Sequence, residues 1–535
     1  MKCCFFCERA SLSFVGIEYL LAILRAHGYE VDVVFDRNPF KAWKLLEVEM
    51  DFDDEIVREI LKTDCRVVFA YINTANFRRM SNIFSKLKKA APEITSCVGG
   101  PHATYAHEHT AGKDSFDYVC RGEGEITILE LLDLIEGQRD TLPSGIYRMR
   151  DGEIEGAGFG TLVSDLNALP FPDKSDYYAQ VPQIRDTYMI MSGRGCPNRC
   201  TFCNSTTIRE HYRDEGFNFL RRRSVNDVIE ELSLAKKSYA PTFIWFCDDT
   251  FIYNKKYMNE FAGRYAEEIG IPFGCSTIPN FFDEEIIDKL VLAGLSNVEV
   301  GIQTLNAETR INILGRRETN DEFERFVRML RHRGVYVNTD HIINPWDSRE
   351  NLKEQIKLYS EIRPSYINVF YLQYFPETKI IDRAVKQGFL SGDFLDTIGE
   401  GFLDSYLSGG SVADKISSFE DLVLLLSFTP FLPSAFVKWL LDSRMIFLLR
   451  YIPMAAVLPL RTISAVMRKS DFVGRSHLKA LFYSFIKHLP KADPRRVADI
   501  KAVARRKTGQ SLRPAVPLRV KKPKLGQAAI GSDAR

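Results

Sequence analysis

The chain has 535 residues, is 45% hydrophobic and 26% charged, and carries a formal net charge of +1. This length holds two to four domains with sizeable cores, and the balance excludes a disordered or fibrous chain and gives no ground for a specific nucleic-acid partner. The charge is uneven: from Lys491 onward thirteen Lys and Arg face three Asp, a net of +10, so the preceding 490 residues carry −9. Such a tail suits an anionic partner, such as a membrane surface or nucleic acid, or simple solvation as a disordered segment. The opening MKCCFFCERA lacks the regions of a secretory leader, and the eleven Cys are unevenly placed, so a cytoplasmic, reducing location is expected.

Taken in order, Lys2–Phe6 reads as a strand and Gly16–His27 as an amphipathic helix closed by Gly28. Strands follow at Val31–Phe35, Arg66–Ile72 and Ser96–Val98, with a helix over Phe77–Ala90 between the last two. Strands separated by helices imply a parallel, doubly wound (Rossmann-like, flavodoxin-like) α/β domain over residues 1–145, with ligands at the carboxyl ends of its strands. The loops there are Glu8–Gly16, Asn73–Asn76, Gly99–Thr104 and Gly122–Glu125. Cys3, Cys4 and Cys7 lie on or just after the first strand and read as small core side chains rather than as a metal site.

Residues 146–184 form a linker, extended at Leu169–Asp173 by its two prolines. A second alternating run covers 185–390. Its strands lie near Tyr188–Met191, Phe243–Phe246, Phe273–Ser276, Val298–Ile302, Val335–Ile343 and Ile367–Tyr371. Helices between them include Val225–Ser238, Lys255–Ile269, Glu284–Ala293 and Asp321–Arg333. Six βα repeats predict a partial (β/α)6 barrel with its chemistry on the C-terminal rim. Residues 391–490 lose this rhythm and read as helical and apolar, ahead of a basic tail over 491–535. Leu422–Val437 holds no charge but is cut by Pro430 and Pro433, and Ile446–Leu460 is cut by Arg450, Pro453 and Pro459. Neither reaches the roughly 20 residues of a spanning helix, leaving a buried cap or an interfacial element as the choices.

The chemistry concentrates after the first strand of the second run, in Gly193-Arg-Gly-Cys196-Pro-Asn-Arg-Cys200-Thr-Phe-Cys203. Three thiolates at this spacing wrap three corners of an iron–sulfur cubane and leave the fourth iron open to an amine and a carboxylate. A zinc site would need a fourth ligand, for which His211 is the local candidate. The C-x3-C-x2-C pattern, with Phe202 before the last Cys, resembles the radical S-adenosylmethionine (SAM) superfamily, and the likeness runs on over residues 185–390. Arg222–Glu231 resembles the helix after the cluster loop, and Ala293–Gln303 resembles the family's AG…V.iGiE stretch with Gln303 in place of the acid. The resemblance implies a [4Fe–4S] cluster on Cys196, Cys200 and Cys203, with SAM held by Asp248, Asp249, Thr250 and Gln303. Read without it, the two Asp serve as a helix cap and Gln303 as barrel packing. The turns Ile343–Ser348 and Phe375–Thr378 depart from the family pattern, which bears on substrate contacts.

Gly99, Gly100, Pro101, His102, Ala103 and Thr104, with Asp117–Glu125, resemble the B12-binding domain that precedes many radical SAM cores. The resemblance implies cobalamin held at Gly99–Thr104 and at Gly122, Glu123, Gly124 and Glu125. The first loop lacks the Asp-x-His-x-x-Gly that would ligate cobalt, so a His-free arrangement is implied, and His102 reads as a loop-stabilising residue. The chain is identified as a member of the cobalamin-dependent radical SAM family. The implied activity is methylation of an unactivated carbon, with oxidation or cyclisation of a lipid or tetrapyrrole-like substrate as the alternative within the class. A non-catalytic metal- and corrin-binding carrier or sensor is the alternative outside it. Implied partners are a small-molecule or lipid substrate and a reductant such as flavodoxin or ferredoxin, with peripheral contact to an anionic membrane through the tail.

Overall fold

A computed structural model describes residues 1–7, 14–36, 52–181, 184–281, 283–390, 399–401 and 419–452. Most of the first loop, the second half of the Ile446–Leu460 run and the basic tail lie outside the described residues.

The N-terminal sheet is built from β1 (Lys2–Cys7), α1 (Val15–Ala26), β2 (Glu30–Phe35), α2 (Asp53–Leu61), β3 (Val67–Tyr71), α3 (Phe77–Ala90) and β4 (Thr95–Gly99). Then come the short helices α4 (Pro101–Tyr105) and α5 (His107–Ala111), β5 (Tyr118–Cys120), α6 (Thr127–Ile135), β6 (Ile146–Arg150) and β7 (Glu153–Gly156). Strand order is β2-β1-β3-β4-β5-β6-β7, with β1 to β5 parallel and β6 and β7 antiparallel. The order of the first five strands is that of flavodoxin-like folds. Because helices cover both faces, side chains alternate between two apolar layers. Cys4, Phe6, Val68 and Ala70 pack with α2 and α3, while Cys3, Phe5, Val67 and Phe69 pack with α1 and α6. Cys3, Cys4 and Cys7 are free thiols buried in these layers, and burial pushes Cys3 and Cys7 up to about 12.

The sheet runs through β6 and β7, past the boundary drawn at 145. The segment after β7 is tied back to α1. Lys174 is fully buried against Glu18, and Arg25 holds Asp173 and Asp176, which opens α7 (Ser175–Gln180).

The second sheet contains β8 (Thr187–Ile190), with a two-residue pairing of β9 (Gly193–Arg194) and β10 (Arg221–Arg222) standing at its rim. Around it run α8 (Asn204–Asp214), α9 (Val225–Tyr239), β11 (Phe243–Phe246), α10 (Lys255–Glu268), β12 (Phe273–Thr277), α11 (Glu284–Ala293) and β13 (Leu295–Gln303). It closes with α12 (Asn320–His332), β14 (Tyr336–Ile343), α13 (Arg349–Ile362), β15 (Tyr366–Tyr371) and α14 (Lys379–Lys386). The six strands lie in the order β8-β11-β12-β13-β14-β15, all parallel, which is the partial barrel. Side-chain caps start its helices: Ser224, Asn254, Asp283 and Ser348 each accept from a backbone N–H, and Thr319 with Glu322 forms a capping box.

Beyond the barrel, α15 (Glu420–Phe428) sends Leu422, Val423, Leu425 and Leu426 into the barrel's own core, and Arg349 grips the buried Asp421 with two bonds of 2.9 and 2.7 Å. In α16 (Ser434–Asp442), Val437, Leu440 and Leu441 face inward, while Phe436 and Trp439 stay 44% and 50% exposed. The apolar run thus supplies both a buried cap and an outward aromatic face. Among the described residues no helix is long and apolar enough to cross a membrane.

Candidate active site

The cysteine loop leaves β8 through Ser192, passes the β9–β10 pairing and ends at Cys203, whose extended backbone precedes the first residue of α8. Gly195 sits at φ +86°, and a Cβ there would stand 2.9 Å from the Phe219 carbonyl oxygen, so only glycine lets the loop turn into the site. Cys200 is buried, while Cys196 and Cys203 are half-buried. Burial pushes all three thiols up, Cys203 to about 12. The Arg316 guanidinium opposes this at Cys200, donating to its Sγ at 3.7 Å. Arg316 also bonds the Gly301 carbonyl at 2.6 Å and pairs with buried Glu318, which holds it fast. The loop is pinned further where Thr201 Oγ1 donates to the Ile313 carbonyl and Arg209 to the Cys196 carbonyl.

Three thiols with a fixed cation beside them are a donor set suited to a cubane, each iron taking one sulfur. Among the described residues, no three His, Cys, Asp or Glu side chains converge on a single ion. His211 instead meets Glu377 at 2.9 Å.

The SAM candidates gather on the same rim. Asp248 accepts from the Ser192 backbone N–H at 2.7 Å and from its hydroxyl at 2.5 Å, so it fixes the start of the cysteine loop. Asp249 accepts from Ser205 Oγ at 2.9 Å, in the first turn of α8. Thr250 Oγ1 stands 3.5 Å from Cys196 Sγ. Burial raises both carboxyls above their usual range. Gln303 ends β13 at φ +70°, where the register with β14 shifts. This is a costly conformation for a non-glycine residue and places it at the rim beside Gly301.

Deeper in the barrel, Glu299, Asp340 and Asn368 stand on three adjacent strands. Asn368 Nδ2 donates to Asp340 Oδ1 at 3.0 Å and to Glu299 Oε1 at 3.4 Å, and Ser276 donates to Glu299 Oε2 at 3.1 Å. Burial, with the Glu299 carboxylate beside it, holds the Asp340 carboxyl well above the usual range. Asn297, Glu299 and Gln303, alternating along β13 with Val298, Val300 and Ile302, were the available signal for this set. Ser192 and the Arg316 contact with Cys200 carried no local signal, because Asp248 and Cys200 are distant from them in sequence.

A cavity of about 360 Å³ joins the two domains. One wall is Phe5, Phe69, Tyr71, Gly99, Gly100 and Gly122–Glu125, and the other is Met191, Gly193–Gly195, Cys247 and Asp249. Among the described residues, no histidine lines it. Of the loop Gly99–Thr104, only the two glycines reach this cavity. Pro101, His102, Ala103 and Thr104 form the short helix α4 beside it. His102 bonds Thr74 Oγ1 and the Gly399 carbonyl and packs on Phe77, and burial lowers its imidazole to about 4.

Glu123 and Glu125 line the cavity with their carboxylates turned to arginines of the barrel rim. Burial alone would raise Glu123, but Arg194 and Arg221 overcome it and bring its carboxyl down to about 2. A folded value below the unfolded one means that this carboxylate adds stability above its ordinary value of 4.5, and that the contribution disappears as pH falls toward about 2. Denaturant midpoints followed across that window should therefore fall less steeply with acid in Glu123→Gln than in the parent chain.

Comparison with known proteins places these parts. The model of the Radical SAM superfamily matches residues 190–359, and that of the B12 binding domain matches residues 10–132. An uncharacterized methyltransferase of Pyrococcus horikoshii is 26% identical over 68% of this chain and 78% of its own length. The cytidylyl-2-hydroxyethylphosphonate methyltransferase of Streptomyces wedmorensis is 24% identical over 70% of this chain and 78% of its own. Among solved structures, the cobalamin-dependent SAM radical enzyme OxsB with aqua-cobalamin bound shares the fold at a TM-score of 0.63. That likeness covers 95% of this chain and 84% of OxsB at 13% identity.

Proposed function

The chain belongs to the radical SAM proteins that carry a B12-binding domain, and on that premise we propose that it is an enzyme, a cobalamin-dependent radical SAM methyltransferase that methylates an unactivated carbon of a small-molecule substrate. The observation that carries this reading is the shared cavity, walled by the glycine loops of one domain and the cysteine loop of the other. When bound, the cluster and SAM supply the radical chemistry and cobalamin supplies the methyl group.

The chain's own residues bind, orient and exclude water. Cys196, Cys200 and Cys203 would hold three irons, with Arg316 stabilising the charged sulfur of Cys200. Asp249, Thr250 and Gln303 would hold SAM at the open corner, and Asp248 would act by fixing Ser192. Gly99, Gly100, Gly122 and Gly124 would let the flat corrin approach the backbone. Asp340, whose carboxyl burial and the neighbouring Glu299 hold above the usual range, would with Glu299 and Asn368 offer hydrogen-bond partners to a hydroxyl or amine of the substrate deep in the barrel. Full-length protein reconstituted anaerobically should release 5′-deoxyadenosine and S-adenosylhomocysteine from SAM under reduction. A loaded protein silent on both counts would be a carrier or sensor instead. Metabolites that differ between a deletion strain and its parent would then identify the substrate.

A cytoplasmic setting and a flavodoxin- or ferredoxin-type reductant complete the reading, since the cluster needs a low-potential electron. We also propose peripheral association with an anionic membrane, which would favour a lipid substrate. Two features support it: the +10 tail, and the outward Phe436, Trp439, Phe447 and Tyr451 of the apolar C-terminal region. Each Lys or Arg at such a surface contributes about 1 kcal/mol. Sedimentation with phosphatidylserine-containing vesicles at low salt should therefore pellet the protein, and high salt should release it. Deleting 491–535 should weaken the binding and spare the cluster. Protein that stays in the supernatant at low salt would end the membrane proposal.

A further inference from the structure

Four buried charges close the seam between the two domains. Arg194 Nη1 lies 3.0 Å from Glu123 Oε1, and Arg194 Nη2 donates to Glu125 Oε1 at 2.5 Å. Arg221 Nη1 donates to Glu123 Oε2 at 3.0 Å, and its Nη2 meets Oε1 of the same carboxylate. All four side chains are at most 12% exposed, and the two positive and two negative charges cancel. Arg194 stands two residues before Cys196, while Glu123 and Glu125 flank Gly124 on the opposite wall of the shared cavity.

The other end of the cysteine loop is tied to the same place. Tyr212 lies on α8, the helix that begins next to Cys203. Its hydroxyl accepts from the Glu123 backbone N–H at 3.1 Å and donates to the Gly160 carbonyl at 3.1 Å. The contact is close: a Cβ on Gly122 would stand 2.5 Å from that oxygen. The segment 122–125 is thus held from both sides of the three cysteines.

We propose that Arg194 and Tyr212 are positioning residues that set the cluster loop at one fixed spacing from the corrin-binding loop. The inference rests on the functional reading above. A fork-shaped guanidinium reaches two carboxylates at once, whereas an ammonium is a single point charge, so Lys keeps the charge and loses the geometry. Removing the charge outright would strand two buried carboxylates and unsettle the fold. The informative variants are therefore Arg194→Lys, and Tyr212→Phe, which keeps the ring against Phe159 and Phe219 and deletes only the hydroxyl.

The test uses the full-length protein loaded with cluster and cobalamin, with iron and cobalamin counted for each variant. Dipolar electron paramagnetic resonance between the reduced cluster and Co(II) should give one narrow distance in the parent and a broadened one in both variants. Methyl transfer from SAM to cobalamin, read as S-adenosylhomocysteine before substrate is added, should fall about tenfold or more, as small misplacements of reacting groups do. In the unloaded chain, hydrogen exchange at 121–125 and 193–196 should rise together. Loaded variants with the parent's coupling and methyl transfer would overturn the proposal. So would an Arg194→Lys chain that fails to load beside a Tyr212→Phe chain that loads and behaves as the parent. A parent chain that takes up no cobalamin would overturn the functional reading instead.

Discussion

Replacing Cys196, Cys200 and Cys203 together by alanine is expected to abolish both iron binding and SAM cleavage while leaving the fold in place. The parent chain should hold about four irons after anaerobic reconstitution, with the broad visible absorption of iron–sulfur charge transfer, and the variant none. The fold should survive because the loop is anchored by bonds the thiols do not make. Thr201 Oγ1 donates to the Ile313 carbonyl, its backbone N–H donates to the Leu314 carbonyl and its own carbonyl accepts from the Ile380 N–H, while Arg209 donates to the carbonyls of Cys196 and Pro197. Iron content and 5′-deoxyadenosine release, measured beside thermal unfolding of the unloaded chains, check the prediction. A triple variant that retains a full cluster would show that the ligands lie elsewhere.

The second large effect is expected from filling the cavity on its N-terminal side. A Cβ on Gly99 would meet nothing closer than 3.6 Å, and one on Gly124 nothing closer than 3.4 Å, so both positions accept a side chain. Gly100 does not, since it sits at φ +111° with the Ile72 carbonyl 2.7 Å from its would-be Cβ. The double variant Gly99→Leu, Gly124→Leu should lose cobalamin affinity by tenfold or more, about 1.4 kcal/mol, while keeping its full iron content. In the parent, the Co(II) spectrum should lack nitrogen superhyperfine splitting, because no histidine among the described residues lines the cavity and His102 is engaged by Thr74 and Gly399. Undiminished cobalamin in the double variant, or clear nitrogen coupling in the parent, would contradict the placement.

Much of the architecture was legible in the sequence because both sheets are covered on two faces, which turns their strands into short apolar runs bounded by helical periodicity. Phe243–Phe246, Phe77–Ala90 and Glu284–Ala293 coincide with the expected elements, and the doubly wound domain, partial barrel and helical C-terminal region stand in the expected order. The helix Asn204–Asp214 was not expected, since NSTTIREHYRD offers almost no apolar face. The β6–β7 hairpin was also missed, although Asp151-Gly152 is a strong turn pair and both residues take positive φ. At the site, the cysteines and both glycine loops were visible as local motifs. Arg194 and Arg221 were not, because their partners are far along the chain, and Arg316 was not, because only the fold brings it from its neighbour Glu318 to Cys200.

The helix α15 has a practical consequence for anyone trimming this protein. A boundary drawn where the βα rhythm ends, near residue 390, would look natural. It would strip Leu422, Val423, Leu425 and Leu426 from the barrel core, and Asp421 from Arg349. The last strand, β15, would lose the helix packed against it. Unsheltered sheet margins invite pairing between copies, so a shortened catalytic core should express as aggregate. A workable minimal fragment therefore ends no earlier than α16.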